Sequence, residues 1–160
     1  MARATGGAAT AFRNPGSANA APSWRPDIVE VEEFGSNPGN LRMYRFVPPR
    51  LSRNAPLVVA LHGCGQTAAS LDHGIAWSQL AARLGFALLL PEQKRANNFN
   101  RCFGWFSPGD MERDRGEPLS IRQMVDRMVA EHRLDPGRIY VTGLSAGGAM
   151  TSTLLATYPD

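Results

Sequence analysis

Five residues late in the chain, Gly143-Leu144-Ser145-Ala146-Gly147, set a serine among small neighbours. The spacing is Gly-x-Ser-x-Gly, which suits a nucleophilic hydroxyl raised on a sharp strand-to-helix turn. A serine at such a turn adopts a backbone conformation that side chains normally avoid. The incoming strand and the outgoing helix pass so close that a side chain at Gly143 or Gly147 would strike the facing backbone. The turn also aims the first helix amides beside the hydroxyl, where a developing oxyanion is favoured. A Gly-rich turn that cradles a phosphate would share these glycines, and the flanking residues decide between the two. Arg138–Gly143 reads as a buried strand and Ala146 onward as a helix, the setting a nucleophile requires. Ser145 is therefore the expected nucleophile, with Gly143 and Gly147 as the glycines of its elbow.

A second stretch, Leu61-His62-Gly63-Cys64-Gly65-Gln66-Thr67, follows another apolar run. In a strand–turn–helix serine site, the loop after the first buried strand supplies the second oxyanion donor, commonly from a His-Gly stretch. Gly63 lets the backbone approach, so the expected donors are the amides of Cys64 and Ala146. His62 invites the role of general base. The chain order in this architecture is serine, then acid, then histidine, and His62 precedes the serine. A structural role is expected for it. His73 and His132 fall on or beside helical patterns and carry no catalytic signature.

These groups need a scaffold. Ile28–Phe34 and Leu41–Pro48 alternate apolar and polar residues around a Gly/Pro/Asn turn, and predict an antiparallel hairpin with one wet face. Pro56–Gly63, Phe86–Pro91 and Arg138–Gly143 are unbroken apolar runs, as in strands buried on both faces. Trp77, Leu80, Ala81 and Leu84 recur at helical spacing, with Gly85 placed to stop the helix. Ile121, Met124, Val125, Met128, Val129 and His132 line one face of another helix. Ser120 is its expected N-cap and Asp135-Pro136-Gly137 its stop. A last helix starts near Ser145, with Ala146, Ala149, Met150, Thr153, Leu154 and Tyr158 inward. The order β-β-β-α-β-α-β-α implies an α/β fold in three layers, with a mostly parallel sheet, right-handed crossovers and an antiparallel edge.

The chain has 160 residues, 43% of them apolar and 19% charged, which favours a globular class. Its net charge of +3 comes from scattered arginines with acids between them, so no nucleic-acid stripe is expected. No apolar run approaches the length of a membrane span. Residues 1–27 are rich in Ala, Gly, Asn, Ser and Pro and hold a single acid, Asp27; they read as a disordered tail or linker without a recognisable signal peptide. Residues 28–160 form the folded part. Cys64 and Cys102 are not in Cys-x-x-Cys spacing, which argues against zinc or a thioredoxin-type pair and leaves two buried thiols as the plain reading. No metal and no cofactor is expected.

Three stretches together carry a family likeness: ALHGCGQTAASL, LLPEQKRANNFNRCFGWFSPGDMERDRGEP and DPGRIYVTGLSAGGAMTSTLLATYPD. They resemble the polyhydroxybutyrate depolymerase family of esterases, which is similar to feruloyl and acetylxylan esterases on the α/β-hydrolase fold. The likeness runs from Pro56 to Asp160 and includes Asn100–Phe106 and Gly116-Glu117-Pro118 as well as the elbow. It implies a secreted or periplasmic serine esterase acting on polyester or on acylated polysaccharide. It also bears on the cysteines. A Cys64–Cys102 disulfide would pin the oxyanion loop, whose amide must be held rigidly; two free thiols remain the alternative. Trp105 and Phe106 either wall an acyl or aromatic substrate or simply pack their loop.

On the same resemblance, the triad acid and histidine follow later strands than any in this sequence. The chain then reads as the N-terminal portion of a catalytic domain, inactive alone and completed by a complementing C-terminal half. A serine peptidase of the same fold and a non-catalytic fragment are the alternatives, since the elbow alone does not separate ester from amide cleavage.

Overall fold

Along Leu57–Leu61, alternate side chains point to opposite faces of a strand, and here both sets are apolar. Such a strand is buried on both sides, and so is Ala87–Glu92. A computed structural model describes residues 28–159 and places these two strands side by side in the middle of one sheet. The strands are β1 (Val29–Val31), β2 (Arg42–Phe46), β3 (Leu57–Leu61), β4 (Ala87–Glu92) and β5 (Ile139–Gly143). Their spatial order is β1-β2-β4-β3-β5. β3 runs parallel to both β4 and β5, while β2 joins β4 antiparallel and carries β1 outside it. The expected hairpin is thus present, at the antiparallel end. The tail read at residues 1–27 lies outside the described residues.

Helices cover both faces, giving the three layers. On one face Leu57, Val59, Leu61, Ala87 and Leu89 pack with Ile121, Met124 and Met128 of α3 (Gly116–His132) and with Met150 and Leu154 of α4 (Ala146–Thr157). On the other, Ala60, Leu88 and Leu90 pack with Ala68 and Leu71 of α1 (Ala68–Ile75) and Ala81 of α2 (Trp77–Leu84). At the β5 end of the described sheet the cover is thinner, and Tyr140 is 55% exposed.

Two helix boundaries differ from the sequence expectation. One helix was expected between β3 and β4, and two are present. They meet at Ala76, which takes a left-handed conformation with φ 59°. The break is held by Asp72, whose carboxylate accepts from the Ser78 amide at 2.7 Å and the Ser78 hydroxyl at 2.8 Å, so a residue of α1 caps the start of α2. Ser120 is not an N-cap. α3 begins four residues earlier, where Asp110 accepts from the Glu117 amide at 2.9 Å. The Ser120 hydroxyl instead donates to Gly116 O and accepts from Gly39 N at 2.8 Å, tying the β1–β2 loop to the helix.

Candidate active site

The chain leaves β5 at Gly143 and enters α4 at Ala146, with Leu144 and Ser145 between them. Ser145 has φ 52° and ψ −118°, outside the regions that side chains ordinarily occupy. Holding a non-glycine residue there costs about 1–3 kcal/mol, so the surroundings must impose it. They do so by contact. The Leu144 amide donates to Leu61 O at 3.0 Å, and the Gly147 amide to Leu144 O at 2.9 Å. A Cβ at Gly147 would stand 2.6 Å from His62 O and closer still to Leu61 O. One at Gly143 would stand 2.7 Å from Gly148 N and overlap the Gly147 carbonyl. The strand, the turn and the helix therefore close on each other with no room for side chains, and Ser145 is left exposed above them.

The loop after β3 lies against this turn. A Cβ on Gly63 would be 3.5 Å from the Ser145 Cβ and 3.4 Å from Leu144 O. The loop is closed on itself by Gln66, whose Oε1 accepts from Gly63 N at 2.8 Å. It is tied outward by the Gly65 amide, which donates to Asn100 O at 2.6 Å. Cys64 and Cys102 are joined in a disulfide that spans 38 residues of chain. Among the described residues, the amides of Cys64 and Ala146 donate to no protein acceptor, and the Ser145 hydroxyl has no hydrogen-bond partner. The Ala146 amide opens α4 directly after Ser145, and backbone amides left free beside a hydroxyl can donate to a developing oxyanion.

Among the described residues, no histidine hydrogen-bonds to Ser145. His62 is fully buried and both ring nitrogens are engaged: Nδ1 donates to Gly63 O at 2.8 Å and Nε2 accepts from Gln93 N at 3.0 Å. Burial holds its pKa below the ordinary imidazole range, so the ring is a neutral strut, packed 4.8 Å from the Phe103 ring. His73 is exposed on α1. His132 ends α3 beside Arg45 and Glu131, and burial lowers its pKa as well.

Trp105 and Phe106 are 44% and 56% exposed, edge to face with centroids 5.6 Å apart. Their loop rests on a polar cluster that carries little sequence signal. Glu117, buried at the start of α3, accepts from Gly104 N at 2.8 Å and from Gln93 Nε2. Gln93 also donates from Nε2 to Cys102 O at 3.2 Å. In the sequence Glu117 lies ahead of the helix expected from Ser120, and it stands out only within the Gly116-Glu117-Pro118 stretch of the family likeness.

The disulfide bears on stability. Closing a loop of this length removes chain entropy from the unfolded state, worth about 4 kcal/mol. The double variant Cys64→Ser/Cys102→Ser is expected to unfold at markedly lower urea, with most of that loss in the extrapolated stability. An unchanged midpoint would mean that the bond constrains nothing.

Comparison with known proteins bears on the family and the fold. A family described as esterase PHB depolymerase matches residues 41–160. Over 133 residues the chain is 55% identical to poly(3-hydroxyalkanoate) depolymerase C of Paucimonas lemoignei, covering 83% of this chain and 32% of that one. It is 39% identical over 134 residues to feruloyl esterase B of Neurospora crassa, covering 83% and 45%. Among solved structures, an acetyl xylan esterase from Aspergillus awamori superposes with a TM-score of 0.78 at 30% identity, covering 83% of this chain and 48% of that one. The chain thus spans less than half the length of these relatives.

Proposed function

The chain belongs to the PHB depolymerase family of esterases, and from that premise we propose that it carries the nucleophile and the oxyanion donors of a serine ester hydrolase. One observation carries this: Ser145 stands exposed on a strained turn with the Gly63–Cys64 loop packed against it. The Ser145 hydroxyl attacks the ester carbonyl carbon and gives its proton to an imidazole base. The carbonyl oxygen becomes an oxyanion and accepts from the amides of Cys64 and Ala146. Collapse breaks the bond to the alcohol oxygen, which leaves with that proton. Water, activated by the same base, then hydrolyses the acyl-serine.

The base and its acid partner are supplied by residues other than those described. Trp105 and Phe106 form an apolar wall for the acyl part of the substrate. The disulfide suits an oxidising compartment, in keeping with an exported enzyme.

The substrate proposed first is a poly(3-hydroxyalkanoate), after the relative at 55% identity. A feruloyl or acetylxylan ester is the second, after the relatives at 39% identity and the superposed structure. With the base-bearing segment supplied, 3-hydroxybutyrate oligomers are expected to turn over faster than methyl ferulate or acetylated xylan. The reverse ranking would move the assignment to plant-wall esters. Turnover of a peptide anilide but of no ester would remove the esterase reading altogether.

A further inference from the structure

His62 is a buried imidazole that the proposed reaction does not use, and its two partners fix its tautomer. The Gln93 backbone N–H can only donate, so Nε2 accepts from it at 3.0 Å and carries no proton. The ring proton is then on Nδ1, which donates to Gly63 O at 2.8 Å. The Phe103 ring, itself fully buried, lies 4.8 Å from the imidazole. Gln93 is held in turn by its side chain, which donates to Cys102 O at 3.2 Å and accepts from Asn97 Nδ2 at 2.7 Å. The imidazole is thus held at both nitrogens and on one face.

Gly63 O belongs to the peptide whose N–H is that of Cys64. The peptide is trans, so its carbonyl and its N–H point in opposite directions. A bond that draws Gly63 O onto the buried ring therefore turns the Cys64 N–H away from it. That N–H donates to no acceptor among the described residues, and the peptide begins at Gly63, which packs against Ser145. We propose that His62 is a positioning residue for the candidate site: through Gly63 O it aims the Cys64 N–H at the carbonyl oxygen of an ester attacked by Ser145. The bond stands on its own geometry, whereas its consequence for catalysis rests on the esterase reading above.

The two bonds of the ring do different things. The one from Gln93 N places the imidazole, and the one to Gly63 O passes that placement to the peptide. The disulfide fixes where Cys64 lies but not how the peptide before it is turned. Besides His62, Gly63 O accepts from Gln66 N, at the longer distance of 3.2 Å. Without the imidazole bond the peptide plane can rotate while the Cα atoms on either side stay in place. The donor then leaves the oxyanion position and the fold survives. Losing one oxyanion donor costs roughly a hundredfold to a thousandfold in kcat. The contact strengthens as charge develops on the carbonyl oxygen, so the loss falls on kcat more than on KM.

Two amide side chains separate the two bonds, because the asparagine amide falls near Nδ1 of the ring it replaces and the glutamine amide near Nε2. His62→Asn keeps a donor for Gly63 O and gives up the bond from Gln93 N; His62→Gln does the reverse. With the base-bearing segment supplied, His62→Gln is expected to lower kcat on a nitrophenyl ester roughly a hundredfold with KM nearly unchanged. His62→Asn should keep kcat within about tenfold of the parent, since the donor stays aimed. Urea midpoints should fall alike in the two, each having lost one buried bond. Equal losses of kcat, or the larger loss in His62→Asn, would overturn the proposal and leave the ring as packing alone. Should both variants fail to fold, nitrogen NMR of the imidazole in the parent chain decides: a proton on Nδ1 and none on Nε2 is expected, and the opposite tautomer would overturn the proposal. Absence of turnover in the parent enzyme, or turnover that survives Ser145→Ala, would instead sink the esterase reading and the catalytic role with it, while the tautomer would stay as it is.

Discussion

Ser145→Ala is expected to abolish ester hydrolysis in the completed enzyme, a loss of roughly a million-fold in kcat by comparison with other serine hydrolases. The substitution removes only an oxygen. The turn keeps its shape, because the constraints on it come from Gly143, Gly147 and the Leu144 and Gly147 hydrogen bonds. Circular dichroism and the urea midpoint should therefore hold while activity vanishes. The same oxygen is the atom that a fluorophosphonate would label. In the 160-residue chain alone, labelling should be slow or absent, because a serine hydroxyl without a base is a weak nucleophile at neutral pH. For His62 to serve, it would have to give up both bonds, to Gly63 O and from Gln93 N, and leave a fully buried site. Supplying the base-bearing segment should make labelling fast, and Ser145→Ala should remove it. Rapid labelling of the isolated chain would contradict the missing-base account. Activity surviving Ser145→Ala would contradict the nucleophile.

Why this turn was legible in the sequence, and its supports less so, comes down to the range of the interactions. The elbow is fixed within a few residues. Gly143 and Gly147 announce close approach, and an apolar strand run before them gives the direction. The sheet was legible for a similar reason: in β3 and β4 both faces are apolar, so the runs are unbroken. By contrast, α1 buries only Ala68 and Leu71, too few for a helical period to emerge. Its break from α2 depends on Asp72 reaching Ser78, and on an alanine taking a conformation usually left to glycine. The start of α3 was misplaced because its cap is Asp110, seven residues before the amide it receives, rather than an adjacent Ser120. Glu117 was least visible of all. Its partners Gly104 and Gln93 stand 13 and 24 residues away, and nothing local says that its side chain turns inward.

Gly147→Ala carries the second large effect, by adding one carbon where the fold has no space. The new Cβ would meet His62 O at 2.6 Å and Leu61 O more closely, both of them backbone atoms at the end of a central strand. Neither can swing aside as a side-chain tip would. Leu61 O already accepts from the Leu144 amide, and the residues that follow lead into the Gly63–Cys64 loop. Either α4 retreats from β3, or the strand end and its loop move. The stability cost is expected to be about 3 kcal/mol, at the upper end for an overpacked core. Activity should fall more steeply than stability. A shift of order 1 Å between the Ser145 hydroxyl and the Cys64 amide costs roughly a hundredfold in rate, even in molecules that remain folded. Gly74→Ala provides the contrast. That glycine lies inside α1 with nothing within 4 Å of an added Cβ. There the alanine should stabilise the protein by about 0.5–1 kcal/mol through helix propensity and leave turnover unaltered. Urea unfolding together with kcat on a nitrophenyl ester separates the two sites. If Gly147→Ala proved as harmless as Gly74→Ala, the strand and helix would not be in contact, and the strained serine between them would lose the constraint that holds it up.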